Sequence, residues 1–301
     1  MLKFFKNIWQ HRAIMAMSIP VVLILLLFSY VPMIGVILAF KRFDYTLGMF
    51  GSPWVGLENF KFLLSSKALF QNMLTNTIMY YVIFTVVGTI LSISLAIAID
   101  QFLFKRVGKA MQTIMIIPAF ISYAAVQFVV YAYLNSTNGM INQMFGLDIS
   151  WYTEGKYWPI ILTLVKIWNG IGYGSIIYMS VLAGIDKSLY ESAEMDGANK
   201  WQQIKNITLP SLLPMVTIQL LLSVGGVMHS DTGLFYQVTR NSAMLNDTTQ
   251  VIDSYVLNAI FNSSNFGFTA ATALLQSLVG LILIVISNLI VRKLEPDNAL
   301  F

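Results

Sequence analysis

Apolar residues in this chain run together in six long stretches, about residues 13–40, 76–99, 110–134, 158–183, 211–228 and 268–291. A bilayer's hydrocarbon core is about 30 Å thick, so a spanning helix needs about 20 mostly apolar residues at a rise of about 1.5 Å each. The pattern therefore predicts six membrane-spanning helices in one all-α transmembrane domain over residues 1–301. Strands of a membrane barrel would instead alternate in units of about ten residues. The fifth stretch is the shortest. Pro210 and Pro214 predict that its helix starts near 210, where a missing amide proton costs little. Lys3, Lys6 and Arg12 ahead of the first run also suit a signal peptide, but the run continues through Ser29, Tyr30 and Pro32 without a small-residue cleavage site at the right distance. It reads as a retained first helix.

Composition narrows the class further. Hydrophobic residues make up 57% of the chain and charged ones 11%, against about 25% charged in soluble domains. A dispersed globule and a disordered chain are both excluded. The 19 Gly and 8 Pro fall without a period, and there is no Cys, which removes collagen-like, disulfide-framework and thiolate-metal readings.

The charges also report topology. Eleven Lys and Arg fall at the amino terminus, in 100–109, in 184–210 and in the carboxyl tail, against six in the longer loops 41–75, 135–157 and 229–267. The positive-inside rule then predicts both termini cytoplasmic, which requires an even number of helices. The net charge of +4 reflects this asymmetry, and no nucleic-acid partner is expected.

Little catalytic chemistry is present. The two histidines, His11 and His229, are predicted on opposite sides of the membrane, so they build no metal cluster. No Asp or Glu lies inside a predicted span, which argues against an intramembrane aspartyl protease and against a pump relaying protons through carboxylates. The nearest fragment to a phosphate-binding GxxxxGK[ST] loop is Gly108-Lys109-Ala110, which lacks the leading glycine spacing and the hydroxyl. Any ATP, with its Mg, would be bound by another chain. Lys166 is the one charge inside a span, at a depth where a lysine costs about 2.5–3.5 kcal/mol. Either its stem snorkels to the outer headgroups, or it faces a wet cavity beside Trp168, Asn169 and Tyr173 and pairs with a polar or acidic substrate group.

The loop 184–210 carries the most specific signal. Ser188 with Glu191 three places on predicts a capping box opening a short helix, with Glu191, Glu194 and Asp196 in its early turns. Gly197 predicts a break, and Trp201 and Ile204 supply a second apolar edge. A short helix carrying Leu189 and Ala193 is suited to another protein's groove. Its acids fit an anionic lipid surface poorly.

Glu191-Ser192-Ala193, three residues, Gly197, nine residues, then Ile207-Thr208-Leu209-Pro210 resembles the EAA loop of permease subunits of binding-protein-dependent ABC importers, with Ser192 in place of the motif's second Ala. Val55-Gly56-Leu57-Glu58-Asn59-Phe60, Asn76-Thr77, Ile185-Asp186, Leu189-Tyr190-Glu191, Gly225-Gly226 and Val251-Ile252-Asp253-Ser254-Tyr255-Val256 are similar to the complex-oligosaccharide branch of the maltose-type permeases. The resemblance implies the type I importer (MetI-like) fold in a bacterial cytoplasmic membrane, and a subunit that is no enzyme. The resemblance further implies that such a subunit forms half of a sugar pathway beside a second permease, two ATPase subunits and an extracytoplasmic sugar-binding protein. It also implies that Glu191, Ser192, Ala193, Glu194, Asp196, Gly197, Ile207, Leu209 and Pro210 couple to the ATPase. A stand-alone secondary transporter and a membrane scaffold are the other readings, and neither explains the EAA spacing.

Sugars offer hydroxyl edges and apolar faces, so polar and aromatic residues within the spans are the pathway candidates. They are Gln127, Tyr131, Lys166, Trp168, Asn169, Tyr173, Gln219 and Gln276. Helix-to-helix hydrogen bonds and interfacial anchoring explain the same residue types. Gly170, Gly172 and Gly174 predict close helix packing.

Overall fold

The computed structural model describes residues 12–65, 67–101, 105–263, 265–294, 296 and 299; Lys3, Lys6 and His11 lie outside them. Helices dominate: α1 (Arg12–Leu25), α2 (Glu58–Ser65), α3 (Lys67–Asp100), α4 (Lys105–Ile116), α5 (Tyr123–Leu134), α6 (Trp158–Leu182), α7 (Lys187–Met195), α8 (Leu209–Val224), α9 (Ile252–Ser263) and α10 (Phe266–Leu294). Among the described residues five helical runs are long and apolar enough to cross a membrane, and a bent pair makes a sixth if it is one crossing. The chain divides into two compact units, taken here in turn.

The first unit holds Met1–Lys67 and Ala259–Leu275. After α1 the chain widens into a π-helical turn, Leu26–Tyr30, and tightens into a 3₁₀ stretch, Val31–Phe40, opened by Pro32. The whole of 16–34 is exposed in the isolated chain, as a surface covered by lipid or protein requires. Asn59 closes the end of the 3₁₀ stretch, its Nδ2 donating to the carbonyls of Ala39 at 2.9 Å and Lys41 at 3.0 Å. Gly267 packs here without room for a side chain, since a Cβ would meet the Lys41 carbonyl oxygen at 2.8 Å. Lys41 is buried, and its ammonium donates to the carbonyls of Phe50 at 2.6 Å and Met49 at 3.2 Å.

The second unit holds Ala68–Asn258 and Gln276–Phe301. Tyr80, Val126, Trp158, Leu162, Leu234 and Val251 anchor its main core, and Ala96, Tyr178, Leu182 and Leu212 form a second cluster. Close packing depends on missing side chains, because a Cβ on Gly172 would overlap the Met115 carbonyl and one on Gly280 the Gly225 carbonyl. Gly174 likewise abuts Ser92, whereas Gly170 faces open space.

Three expectations from the sequence need correction. The third stretch is two helices bent by 99°. Pro118 carries no amide proton, Ile121 and Ser122 are extended, and the Asn169 amide braces the bend by donating to the carbonyls of Pro118 at 2.7 Å and Ile121 at 3.4 Å. The fifth span runs from Lys200 to Val224. It opens at a capping box between Asn199 and Gln202, then passes through a π-helical turn, Ile204–Thr208, in which the Leu209 amide bonds to the Ile204 carbonyl. That wider turn shifts the ladder just where Pro210 withdraws a donor. Finally, α7 is capped by Asp186, whose carboxylate accepts the Ser188 amide at 2.9 Å, not by Ser188.

Candidate functional site

The segment between α6 and α8 opens with a short helix, α7, closed at both ends. At the start, the Ser188 amide and then its hydroxyl hold the Asp186 carboxyl below the usual carboxylate range. At the end, Gly197 is left-handed at φ +82°, the Gly197 amide bonds to the Glu194 carbonyl at 3.1 Å and the Ala198 amide to the Ala193 carbonyl at 2.9 Å. This 6→1 and 5→2 pairing is a Schellman motif, which glycine adopts without strain. Glu191, Ser192, Glu194 and Asp196 are exposed, while Ala193 is half-buried. The apolar side chains Leu189, Met195 and Trp201 are exposed as well, at 51%, 90% and 70%. Tyr190 ties the helix back through a 2.9 Å hydrogen bond between its hydroxyl and that of Thr208. Ile207 is half-buried; Leu209 and Pro210 are exposed.

A cleft of about 250 Å³ opens among α3, α6 and α8. Gln219, one of the pathway candidates, lines it together with Thr85, Thr89, Ser92, Tyr178 and Ser223, over an aromatic wall from Phe84. Ser223 is held by the Tyr81 hydroxyl at 2.8 Å. Thr85, Thr89 and Ser92 stand at helical spacing on one face. That run of hydroxyls within an apolar span is the sequence signal that could have found them.

The other pathway candidates do not converge. The Lys166 ammonium bonds to Asp231 at 2.8 Å, with 35% and 31% of the two side chains exposed. Asp231 also accepts from the Leu234 amide at 3.4 Å, at the start of a π-helical turn, Gly233–Val238. Asn169 braces the bend between α4 and α5. Trp168 lines an apolar groove with Val129, Tyr133 and Leu164, and Tyr173 is 62% exposed. Gln127 donates to the Ala124 carbonyl of its own helix at 3.1 Å. Gln276 is buried, donating to the Met228 carbonyl at 2.6 Å and to Asp253 at 2.9 Å. Tyr131 carries the Arg240 guanidinium over its ring at 4.1 Å. Among the described residues no three His, Cys, Asp or Glu side chains gather as a metal site would need.

The family model described as "Binding-protein-dependent transport system inner membrane component" matches residues 88–297. The chain belongs to this family. It is accordingly a multi-pass membrane protein with the MetI-like permease fold. It is 29% identical, over 96% of its length and 90% of the relative's, to the polygalacturonan/rhamnogalacturonan transport system permease protein YteP of Bacillus subtilis. It is 26% identical, over 98% of both chains, to the probable starch degradation products transport system permease protein AmyD of Thermoanaerobacterium thermosulfurigenes. Its fold matches a chain in the crystal structure of a bacterial ABC transporter involved in the import of the acidic polysaccharide alginate, with TM-score 0.87, 27% identity and coverage of 97% and 99%. A second crystal structure, of the bacterial alginate transporter in complex with its alginate pentasaccharide-bound periplasmic protein, matches at TM-score 0.85 and 28% identity, over 96% of this permease and 97% of that chain.

Several residues that carried the resemblance to sugar permeases hold this permease's frame. Asn76 donates to the carbonyls of Asp247 at 3.2 Å and Gln250 at 3.1 Å. Thr77 accepts from the Ile252 amide at 3.1 Å. Asp253 accepts from the Ser230 amide and hydroxyl and from Gln276.

Proposed function

We propose that this permease is one of two membrane subunits of an ATP-driven oligosaccharide importer, with both termini cytoplasmic, and that it works beside a second permease, two ATPase subunits and an extracytoplasmic sugar-binding protein. The observation that carries the reading is the segment from Asp186 to Pro210. Its short helix α7 is capped at both ends yet leaves Leu189 and Met195 in solvent, and Trp201 is exposed at the start of the next helical run. Exposed apolar side chains on an internally satisfied helix suit a protein groove. Glu191, Ser192, Ala193, Glu194, Asp196, Gly197, Ile207, Leu209 and Pro210 would form this contact and its link to α8. ATP and Mg act on the ATPase subunits, and this chain hydrolyses nothing.

Closure of the ATPases would move α7, and the continuous helix from Lys200 to Val224 would carry that motion to Gln219 in the cleft. Such a cycle works only if ATP and sugar each bind the two states unequally. The cleft is smaller than the roughly 300–1,000 Å³ of a complete ligand site, as one wall of a shared pathway would be. Its hydroxyls and the Phe84 ring offer what a sugar's edge and face require.

The test is uptake of a labelled pentasaccharide into proteoliposomes. Chain, second permease, ATPases and binding protein together are expected to import it only with ATP. Gradient-driven uptake by the chain alone, indifferent to ATP, would overturn the reading in favour of a secondary transporter.

A further inference from the structure

The apolar groove that holds Trp168 runs between α5 and α6 and encloses about 300 Å³. Val126, Val130 and Leu134 line it at four-residue spacing, the row that a helix turns to one side, and all three belong to the main core of the second unit. Val129 and Tyr133 of α5 and Leu164 and Trp168 of α6 line it too, and these are exposed. The groove thus has a floor in the core and edges that nothing in the chain covers. Its lining is carbon almost throughout. A sugar needs polar groups to fix its hydroxyls and finds none here, which sets this groove apart from the cleft at Gln219.

The dimensions select the occupant. Val126 to Tyr133 and Ile161 to Trp168 each span seven residues, about 10 Å of helix rise. A volume of about 300 Å³ over that length gives a channel about 5–6 Å wide. A helix with its side chains is about 10–12 Å across and does not enter. A hydrocarbon chain, whose carbons sit about 3.5–4.0 Å from their neighbours, does.

The depth agrees. Trp168 lies ten residues into α6 from Trp158, about 15 Å, which is half of a hydrocarbon core about 30 Å thick. The groove therefore runs from near one bilayer surface to the midplane, the reach of a single acyl chain. At the surface end, the short helix Met140–Phe145 contributes Ile141 to the groove and exposes Met144 and Phe145. Apolar side chains on a short helix at that level suit the boundary between headgroups and hydrocarbon.

We propose that the groove between α5 and α6 is a resident lipid site, holding one acyl chain of a membrane phospholipid from the leaflet that meets the start of α6. The chain covers the open faces of Leu164 and Trp168 and completes the packing that Val126, Val130 and Leu134 begin. It binds through hydrocarbon alone, so the site discriminates by chain and not by headgroup. This depends on the membrane family of the chain and not on which solute is carried.

The experiment purifies the permease with its native partners in a non-ionic detergent, after exchange into phosphatidylcholine brominated near the chain ends, and counts bound lipid by native mass spectrometry. Val129→Phe and Leu164→Phe each add a ring to the groove, one from either helix. The unaltered permease is expected to keep one phospholipid more than these variants through washing that strips loosely held lipid, their occupancy of the site falling at least tenfold. Trp168 supplies a second reading that does not depend on the ring variants, as the difference in fluorescence between the unaltered protein and Trp168→Phe. After washing, that difference should be quenched by bromines near the chain ends and not by bromines near the headgroup. An equal lipid count in the unaltered protein and both ring variants would overturn the site. Trp168 fluorescence quenched by neither lipid would overturn it too, since protein would then cover the groove.

Discussion

Residues 184–210 before α8 and 229–258 after it are similar in length, yet side-chain hydrogen bonds in the first reach at most 18 positions along the sequence, from Tyr190 to Thr208, whereas those of the second reach as far as 175, from Ile252 to Thr77. The first is capped locally, by Asp186 on Ser188 and Asn199 on Gln202, and exposes Leu189, Met195 and Trp201. The second buries Leu234, Phe235, Val238, Leu245 and Val251 and is stitched to α3, α6 and α10 through Asn76, Tyr80, Lys166 and Gln276, the last by its bond to Asp253. One segment is self-sufficient and presents a surface. The other exists only as part of the packed frame, so damage to it should propagate and damage to the first should stay local.

The largest effect is expected at Gln276. Replacing this buried amide with Leu strips the Met228 carbonyl and Asp253 of a donor, and an unsatisfied buried acceptor costs about 1–3 kcal/mol. Thermal unfolding of the purified complex in detergent should reveal a clear loss; an unchanged midpoint would mean that the segment is not stitched to α10 as described.

Next comes the ion pair. Asp231→Asn leaves the Lys166 ammonium without its partner, at about 1–2 kcal/mol, reduced from the roughly 3–5 of a fully buried pair because both side chains keep about a third of their exposure. Adding Lys166→Met should restore most of the stability. Failure of the double variant to recover would show that the carboxylate matters chiefly to the Leu234 amide.

The smallest effect is expected at Asp186. Asp186→Ala should lower amide protection only at 187–190 and leave the global midpoint alone. Because hydrogen bonding depresses the folded-state pKa of this carboxyl, the cap is intact above the unfolded value of about 4 and fades as pH falls through the lowered one. Hydrogen exchange should therefore loosen the start of α7 below about pH 4, and not between pH 5 and 8. Protection that changes in the neutral range would point to another group.

The same contrast explains what the sequence made legible. The first, fourth and sixth spans ended within a few residues of their expected limits because a bilayer demands an unbroken apolar run. The bend at Ile121–Ser122 was hidden, since both halves are apolar and only Pro118 hints at it. The start of the fifth span was missed because Lys200–Thr208 is polar where it leaves the membrane, though fully helical. In the first segment the signals are local, so Gly197 and the short helix could be read, and the error was one of two nearby cap residues. In the second, Asp231 lies 65 positions from Lys166, and no local pattern announces such a pairing. Arg240 was counted only as a loop charge, because neither its left-handed backbone nor its seat on Tyr131 leaves a mark in sequence.

The central claim is that the capped helix between Asp186 and Gly197 transmits work between ATPase and pathway. The direct measurement is the ratio of sugar imported to ATP hydrolysed in the reconstituted transporter, for Gly197→Val and Gly197→Asn. Gly197 sits at φ +82° with open space around its Cβ position, so a side chain meets no clash and only the backbone is strained, severely for Val and mildly for Asn. Gly197→Val is expected to assemble yet lose at least tenfold in sugar imported per ATP, with Gly197→Asn near the unaltered ratio. An unaltered ratio for Gly197→Val in a correctly assembled complex would contradict the account.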